Sequence, residues 1–383
     1  MSNHQCQIKK YPLLPFSQLV YDMSRLMPKV YTFGCSLRCP GETPNIDRIR
    51  QAFRTAIANH PVFNMQADWC GRHFPSPQKD ILYGRFHDFN ISAQGDDVYI
   101  HIRFNRILGD GKSLAILCED IARAYNGEPL EPDNYWDYVS RYEAYKHDAH
   151  YIASQTWLTK EYADSSVPVR PTTDRHWLFT LFPPKAGNLI SNLSDLRSKI
   201  QSVESEYHLS LDGFVSLCAA LAIAEYCGTD DAALTWAYEG RETPEEQRIF
   251  GSLHRDIPFQ IRKSRIENRE SAIRLARNQI RSGIAHSDYP YTLTAPYNKR
   301  WNYAVNVLRM AELEDMLRSL DLPIEIVSAP KPNYAYALLD IEIHERADEL
   351  SLWFRYSTTH YKESSIRRFA SLVRKYAEWL LEE

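Results

Sequence analysis

Three features are missing from this sequence: a cluster of basic residues, a long apolar run and a signal-peptide core. The formal net charge is −4 and the pI is near 6.4, so nothing favours a nucleic-acid partner. The longest apolar run, Phe214 to Ala224, is too short to cross a bilayer. The N-terminal residues MSNHQCQIKKYPLLPF lack the apolar core of a signal peptide. These absences predict a cytoplasmic protein that has no membrane or nucleic-acid partner.

Cysteine is also scarce, and its number is odd. Seven cysteines among 383 residues indicate reduced thiols in the cytoplasm rather than a disulfide framework. Cys35 and Cys39 lie close together, but no second closely spaced pair accompanies them. Because metal-binding cysteine patterns contain such a second pair, we predict no metal site.

The remaining composition is that of an ordinary globular protein. Hydrophobic residues make up 44% of the chain and charged residues 25%. A chain of 383 residues can bury a sizeable core and should form one large or two ordinary domains. Strand and helix patterns mix in both halves, and residues Ser165 to Asp174, rich in Pro, Ser and Thr, are the best candidate for a linker.

The most informative stretch runs from Val98 to Gly127. Its first part alternates between apolar and polar side chains, as in a half-buried strand, with apolar positions at Val98, Ile100, Ile102 and Phe104. From Leu114 the apolar spacing becomes helical, and Gly127 suits a left-handed helix end. If the alternation continues, Arg106 begins on the same inward face as Phe104. A guanidinium there needs a partner or a water-filled channel, because burying it alone is very costly.

The loop between this strand and helix carries a resemblance to a known family. FNRILGDGKS resembles the His-His-x-x-x-Asp-Gly signature of the chloramphenicol-acetyltransferase-like superfamily, in particular the condensation domains of nonribosomal peptide synthetases. Asp110 and Gly111 match the signature, whereas Asn105 and Arg106 replace its two histidines.

Further blocks of the same family occur in the expected order, from about Tyr11 to Leu381. They are YPLLPFSQ near the N-terminus, IDRIRQAFRTAIANHPVFNMQ, Gly240-Arg241 followed by Gly251 and Pro258, and IAHSDYPY. In the third block Arg255 and Asp256 stand where the family usually has Asn-Thr. The resemblance implies an α/β fold, an α+β sandwich of two chloramphenicol-acetyltransferase-like lobes in a V-shape with a central tunnel. We place the lobes at residues 1–168 and 169–383, with FNRILGDG in the cleft.

Several elements are predicted from local patterns. A helix carries Ile46, Ile49, Phe53 and Ile57 on one stripe behind an Asn45 cap, and His60 at its end is expected to satisfy helix carbonyls. In the second half we predict a strand at HWLFTLFP, a helix from Leu189 to Tyr207, a buried helix from Phe214 to Cys227 stopped by Gly228, strands at Ala232–Tyr238, 301–308, 334–344 and 350–356, a helix at 271–281 and a final amphipathic helix through Leu380.

The resemblance also implies roles for individual residues. In the family, the second motif histidine is assigned as general base, or as the group that orients the acceptor amine, and the aspartate pairs with an arginine. Carried over, Asp110 has a structural role with Arg241 as its partner, and Gly111 supports the loop. From the residues alone, Asp110 could equally cap the following helix. We take Asn105, Arg106 and Asp110 as the candidate catalytic residues.

Arg106 changes the expected chemistry, because a guanidinium stays protonated and cannot accept a proton as histidine does. It could stabilise the oxyanion of a tetrahedral intermediate, bind a carboxylate or phosphate of a ligand, or be paired internally in an inactive site. Asn105, Asp110 and Ser113 also come within one residue of the Asp-x-x-x-x-Asp-x-x-Ser pattern of heterocyclisation domains.

The expected function is transfer of an acyl group from a carrier-protein or coenzyme A thioester to an amine, in nonribosomal peptide or related natural-product biosynthesis. The expected partners are an acyl or peptidyl carrier protein and a small amine or alcohol. No cofactor is expected to be bound, and phosphopantetheine would carry the acyl thioester as substrate. The alternative is an inactive module that binds a carrier protein or a partner enzyme.

Overall fold

A computed structural model shows a mixed α/β fold. It describes residues 10–26, 31–40, 45–67, 73–75, 83–84, 86–175, 185–294, 301, 304–309, 325–328, 337–346 and 349–382. The predicted strand HWLFTLFP and part of the 301–308 and 334–344 predictions lie outside these residues.

The helices and strands in the described residues have the following bounds. The helices are α1 (Pro15–Leu26), α2 (Ile46–Asn59), α3 (Gly111–Asn126), α4 (Tyr135–Tyr145), α5 (Ala149–Glu161), α6 (Arg197–Tyr207), α7 (Leu211–Cys227), α8 (Arg269–Ala285), α9 (Tyr291–Thr294) and α10 (Glu363–Leu380). The strands are β1 (Thr32–Cys39), β2 (Met65–Ala67), β3 (His73–Pro75), β4 (Tyr83–Gly84), β5 (His87–Gln94), β6 (Asp97–Asn105), β7 (Ala186–Asn192), β8 (Asp231–Tyr238), β9 (Arg255–Arg262), β10 (Asn306–Arg309), β11 (Glu325–Ser328), β12 (Leu339–Glu345) and β13 (Leu350–Ser357).

The chain groups into two compact units. Unit 1 comprises Met1–His147, Arg241–His254 and Ala311–Lys331, and unit 2 comprises Asp148–Gly240, Arg255–Met310 and Pro332–Glu383. These bounds differ from the division at residue 168 that we expected. The segment after His147 packs in unit 2, and a short later segment belongs to unit 1.

Unit 1 is built on an antiparallel sheet. Its described strands follow the order β11-β1-β6-β5-β4. The apolar positions of β6 alternate as predicted, and they form one core with the apolar stripe of α2. Asn45 caps α2 by accepting hydrogen bonds from the backbone N–H groups of Asp47 and Arg48, as predicted. The helix α3 packs beside α2.

Unit 2 is built on a mixed sheet. Its described strands follow the order β7-β13-β12-β10-β8-β9, and β10 runs parallel to both β8 and β12. Helix α7 packs against α10 and α8. Gly228 ends α7 in the left-handed conformation, with φ of 67°, and the final helix buries Ile366, Phe369, Val373 and Leu380. These predictions from periodicity are confirmed.

Two predictions in this unit were wrong. Residues Ala186–Asn192 form an edge strand paired with β13, so the helix predicted from Leu189 begins only at Arg197. The proposed linker is an integral part of the unit. The backbone N–H groups of Ala233 and Val305 donate to the carbonyls of Pro168 and Val169, each at 2.9 Å.

No single described helix is long and apolar enough to cross a membrane. The segments Ser194–Tyr207 and Leu211–Cys227 meet the requirement only as a pair bent by 106°. In α7 every residue from Leu211 to Ala224 except Asp212 is buried, so the apolar character of this helix reflects packing inside unit 2.

Candidate functional site

The candidate site begins where β6 ends, at Asn105. The Asn105 N–H donates to the Phe86 carbonyl at 2.7 Å and the Arg106 N–H donates to the Tyr31 carbonyl at 2.8 Å. The Asn105 side chain accepts from the Ile107 N–H at 3.0 Å and donates to the Ser24 hydroxyl at 3.2 Å. Both ends of this buried amide therefore hold the turn that follows the strand.

The rest of the loop is tightly packed. Ile107 and Leu108 are buried, and the Ser17 hydroxyl donates to the Ile107 carbonyl at 3.0 Å. A Cβ on Gly109 would lie 2.7 Å from a Phe250 ring carbon and 2.8 Å from Ser113 Cβ, whereas a Cβ on Gly111 would meet nothing within 4 Å. Close packing therefore requires glycine at position 109, which the sequence did not single out. It does not require the family glycine, Gly111.

Asp110 caps α3. One carboxylate oxygen accepts from the Ser113 N–H at 3.0 Å, and the Ser113 hydroxyl accepts in return from the Asp110 N–H at 3.1 Å. This reciprocal arrangement is a capping box, in which two backbone donors at the helix start are satisfied.

The same carboxylate pairs with Arg241. The guanidinium donates to both oxygens, at 3.0 Å and 3.1 Å, and both side chains are buried. The backbone N–H groups of Leu253 and His254 donate to Oδ2 at 3.0 Å and 3.2 Å. Arg241 also donates to the Gly251 carbonyl at 2.9 Å. Asp110 thus combines the cap and the ion pair that the sequence offered as alternatives, and it fastens the segment Arg241–His254 to the loop.

Electrostatics keep Asp110 ionised. Burial alone would raise the pKa of this carboxyl group, but the charge and hydrogen bonds of Arg241, with contributions from His254 and the Ser113 N–H, lower it to about 2. The ion pair therefore persists at every pH at which the protein would work.

Arg106 lies at the start of the turn and is half-buried. The alternation of β6 stops at Asn105, which is itself buried, so Arg106 does not continue the strand face as expected. Its guanidinium carbon lies 5.8 Å from the centre of the Phe16 ring, a cation–π contact. The His254 ring contacts the same phenyl ring edge-on, with centroids 4.0 Å apart. Phe16 and His254 are site residues that sequence reasoning missed, since only the tertiary structure brings them to the loop.

A second buried polar cluster lies beside the site. His60 Nδ1 is 2.8 Å from Asp133 Oδ2, and Nε2 is 3.3 Å from Asp120 Oδ2. Asp133 also accepts from the Phe250 N–H at 3.0 Å, and Arg248 pairs with Asp120. The His60 ring therefore contacts carboxylates, while its backbone N–H satisfies a helix carbonyl as expected, that of Ile57 at 3.2 Å. Burial alone would lower the pKa of His60, but the two carboxylates raise it.

The described residues contain no group of three or more His, Cys, Asp or Glu arranged to hold a metal ion. Five of the seven cysteines are described, all as free thiols, and burial raises the pKa of Cys35 to about 12.

Comparison with known proteins identifies the family to which the chain belongs. The model of the condensation domain matches residues 85–383. Nonribosomal peptide synthetase 4 of Gibberella zeae is 23% identical over 295 residues, which are 74% of this chain but 4% of that protein. The chain therefore spans only a small part of the curated relatives it matches.

Solved structures agree at the level of the fold. The epimerization domain from the third module of tyrocidine synthetase B matches with a TM-score of 0.76 and 16% identity, covering 98% of this chain and 96% of that one. A mutant of the starter condensation domain of rhizomide synthetase, in complex with C8-CoA, matches with a TM-score of 0.77 and 15% identity, covering 98% and 95%. The resemblance suggested by the degenerate motif is confirmed over nearly the whole chain, and the protein belongs to the condensation-domain family of nonribosomal peptide synthetases.

Proposed function

We propose that the chain is an acyltransferase that moves an acyl group from a phosphopantetheine thioester to an amine. The observation that carries the proposal is the half-buried Arg106 guanidinium, held over Phe16 on a loop that the Asp110–Arg241 pair fixes in place. Arg106 stands where the family has its key histidine. A fixed cation at that position is suited to a reaction in which negative charge develops on oxygen.

The reaction has a defined charge distribution. The amine nitrogen attacks the thioester carbonyl carbon, and the carbonyl oxygen becomes an oxyanion. The C–S bond then breaks, the thiol leaves, and the amine loses one proton. Arg106 would donate hydrogen bonds to the oxyanion, a role that suits a permanently charged donor. The proton lost by the amine needs a different acceptor, because a guanidinium cannot take it.

The partner would be a carrier protein bearing the acyl phosphopantetheine, as for condensation domains that act within synthetases. Coenzyme A carries the same phosphopantetheine arm, and a solved relative has been studied with C8-CoA. Octanoyl coenzyme A and octanoyl carrier protein are therefore suitable first donors. The acceptor class is a small amine or alcohol.

Acyl transfer can be followed by intact mass after mixing the protein with each donor and a panel of amines. Arg106→Ala should slow transfer by roughly 10²–10³, the usual effect of removing one oxyanion donor. Arg106→Lys should restore little of this rate, because the planar fork is lost. The matched control is Arg103→Ala, since Arg103 is exposed on the preceding strand and paired with Asp88. Equal rates in Arg106→Ala and the control would contradict the role of Arg106.

A second candidate function is binding without catalysis. It is favoured by Asn105, whose amide is fully engaged in holding the turn, and by the loss of both motif histidines. An inactive module would bind acyl carrier protein in a titration but transfer no acyl group from either donor to any acceptor. That result would replace the acyltransferase proposal with the binding one.

A further inference from the structure

The proposed acyl transfer needs a proton acceptor, and Arg106 cannot be that group because its guanidinium stays protonated. We propose that His254 accepts the proton of the acceptor amine. This inference rests on the proposed acyl transfer. It assigns to His254 the proton-accepting role that Arg106 cannot perform. His254 lies outside the degenerate motif, on the segment that Arg241 and Asp110 hold against the loop.

Three contacts place the His254 ring at the motif. Its backbone N–H donates to Asp110 Oδ2 at 3.2 Å, which fixes the start of the side chain beside the loop. Its ring makes a T-shaped contact with the Phe16 ring, with centroids 4.0 Å apart. The same Phe16 ring carries the Arg106 guanidinium at 5.8 Å. The imidazole and the guanidinium therefore both contact the same phenyl ring of unit 1.

The residue also keeps some exposure to solvent, and because Nδ1 of its ring is buried, Nε2 is the nitrogen that would meet a substrate. His254 is half-buried, whereas its neighbours Leu253 and Ser252 are buried. The charged groups that face it in the described contacts are Asp110 with its partner Arg241, and Arg106 across Phe16. The Asp110 carboxylate attracts a protonated His254, whereas the Arg241 and Arg106 guanidinium groups disfavour the imidazolium because like charges repel.

The chemical step then balances. As the amine nitrogen forms its bond to the thioester carbon, a nitrogen of His254 takes the proton from the amine. Arg106 donates to the oxyanion meanwhile. When the C–S bond breaks, the imidazolium returns the proton to the departing sulfur. The products are an amide and a free phosphopantetheine thiol, and His254 is neutral again. Histidine suits this exchange because its ordinary pKa lies near neutrality.

The test measures the acyl-transfer rate as a function of pH in the wild type and its variants. His254→Gln and His254→Phe should each slow transfer by roughly 10²–10⁴, the usual effect of a positioned acid–base group. The wild-type rate should rise around neutral pH, and both variants should lose this rise. His254→Phe keeps a ring on Phe16, so a purely packing role would leave its rate intact. His101→Gln, an exposed histidine of the same unit, is the control and should match the wild type.

Chemical rescue separates proton transfer from structure. His254→Ala leaves space at the ring position, and added imidazole should restore part of its rate. His254→Phe fills that space and should not respond to imidazole. A His254→Gln or His254→Phe variant with the wild-type rate and pH profile would overturn the inference while leaving the acyltransferase proposal standing.

If the wild type transfers no acyl group, the proposed function is wrong. The role of His254 is then tested by a binding measurement that needs no turnover. The probe is an octyl pantetheine thioether, which resembles the donor but cannot react. The His254 imidazole signal, assigned by nuclear magnetic resonance from its loss in His254→Phe, should shift its titration midpoint on binding, because the bound chain removes water from the ring. An unchanged midpoint at saturating probe would overturn the inference.

Discussion

At the scale of single residues, Asp110 has two structural roles that normally fall to different side chains. It caps α3 through Ser113 and forms a buried ion pair with Arg241. The two roles have different energies, because loss of a helix cap typically costs about 1 kcal/mol. Loss of one partner of a buried pair costs about 3–5 kcal/mol, since the other charge is left uncompensated. The ion pair should therefore dominate.

Asp110→Ala is expected to lower the free energy of unfolding by about 3–5 kcal/mol. Urea unfolding measures this value. Asn45→Ala, which removes the exposed cap of α2, is the matched control and should lose about 1 kcal/mol. Similar losses in both variants would show that Asp110 acts as a cap only.

The acid range gives a further check on Asp110. Because its pKa is lowered to about 2, its contribution is fully present above the ordinary carboxyl pKa of about 3.9. That contribution is lost only as the pH falls through about 2. The stability gap between wild type and Asp110→Ala should thus be constant from pH 7 to about 4 and close below it. A gap that closes already at pH 6 would contradict the lowered pKa.

The sequence predicted the roles of some site residues and not of others. Asp110 and Arg241 could be found because each lies in a block that resembles the family, although 131 positions separate them. Phe16, Gly109 and His254 also lie within such blocks, but the resemblance assigned none of them a role. Their importance comes from contacts across the folded unit, such as the approach of Gly109 to Phe250, and local periodicity does not encode those contacts.

At the scale of elements, local pattern failed where pairing with a distant strand decided the outcome. Leu189, Leu193, Leu196, Ile200 and Val203 recur at helical spacing. Yet the first of them lies in β7, which is held by hydrogen bonds to β13. Strand preference depends strongly on such neighbours, so tertiary pairing overrides the pattern. Helix α7 was predictable because its apolar run and Gly228 stop are both local signals.

His60 connects several elements, and this yields a pH prediction. It joins the end of α2 to Asp120 on α3 and, through Asp133, to Phe250. Because its pKa is raised, the protonated ring stabilises the fold fully below the ordinary histidine pKa of about 6.5. This contribution is lost as the pH rises through the raised value.

His60→Gln should therefore destabilise unit 1 most at pH 6, by about 3–5 kcal/mol, and progressively less as the pH rises. Unfolding in urea at a series of pH values between 6 and 9 measures the trend. His101→Gln should show little change at any of these values, since His101 is exposed. A loss in His60→Gln that grows with pH would show that the ring is neutral in the folded protein.

At the scale of the whole molecule, the order of family blocks predicted the fold better than any local pattern. It did not predict how the chain is shared between units. The segment Arg241–His254 follows a long stretch of unit 2, Asp148–Gly240, and still belongs to unit 1. Hydrophobic periodicity does not predict that the chain comes back to unit 1 here, because the pattern of this segment is that of an ordinary loop. The boundary at residue 168 accordingly stays a prediction about which fragments fold.

That boundary can be tested by preparing residues 1–168 alone. Without the later segment, Asp110 would lose Arg241, and the core of unit 1 would lose Ile249, Phe250 and Leu253, which are all buried. Loss of the pair alone costs about 3–5 kcal/mol, and each apolar side chain contributes about 1.5–3 kcal/mol. These losses are comparable with the whole stability of a typical domain, about 5–15 kcal/mol.

We expect fragment 1–168 to lack a cooperative unfolding transition and to bind an apolar dye. A synthetic peptide of residues 241–254, added in excess, should restore part of the transition, whereas the same peptide with Arg241→Ala should restore less. A fragment 1–168 that unfolds cooperatively without the peptide would establish the division at residue 168 and show that the segment is an accessory to unit 1 rather than a part of it.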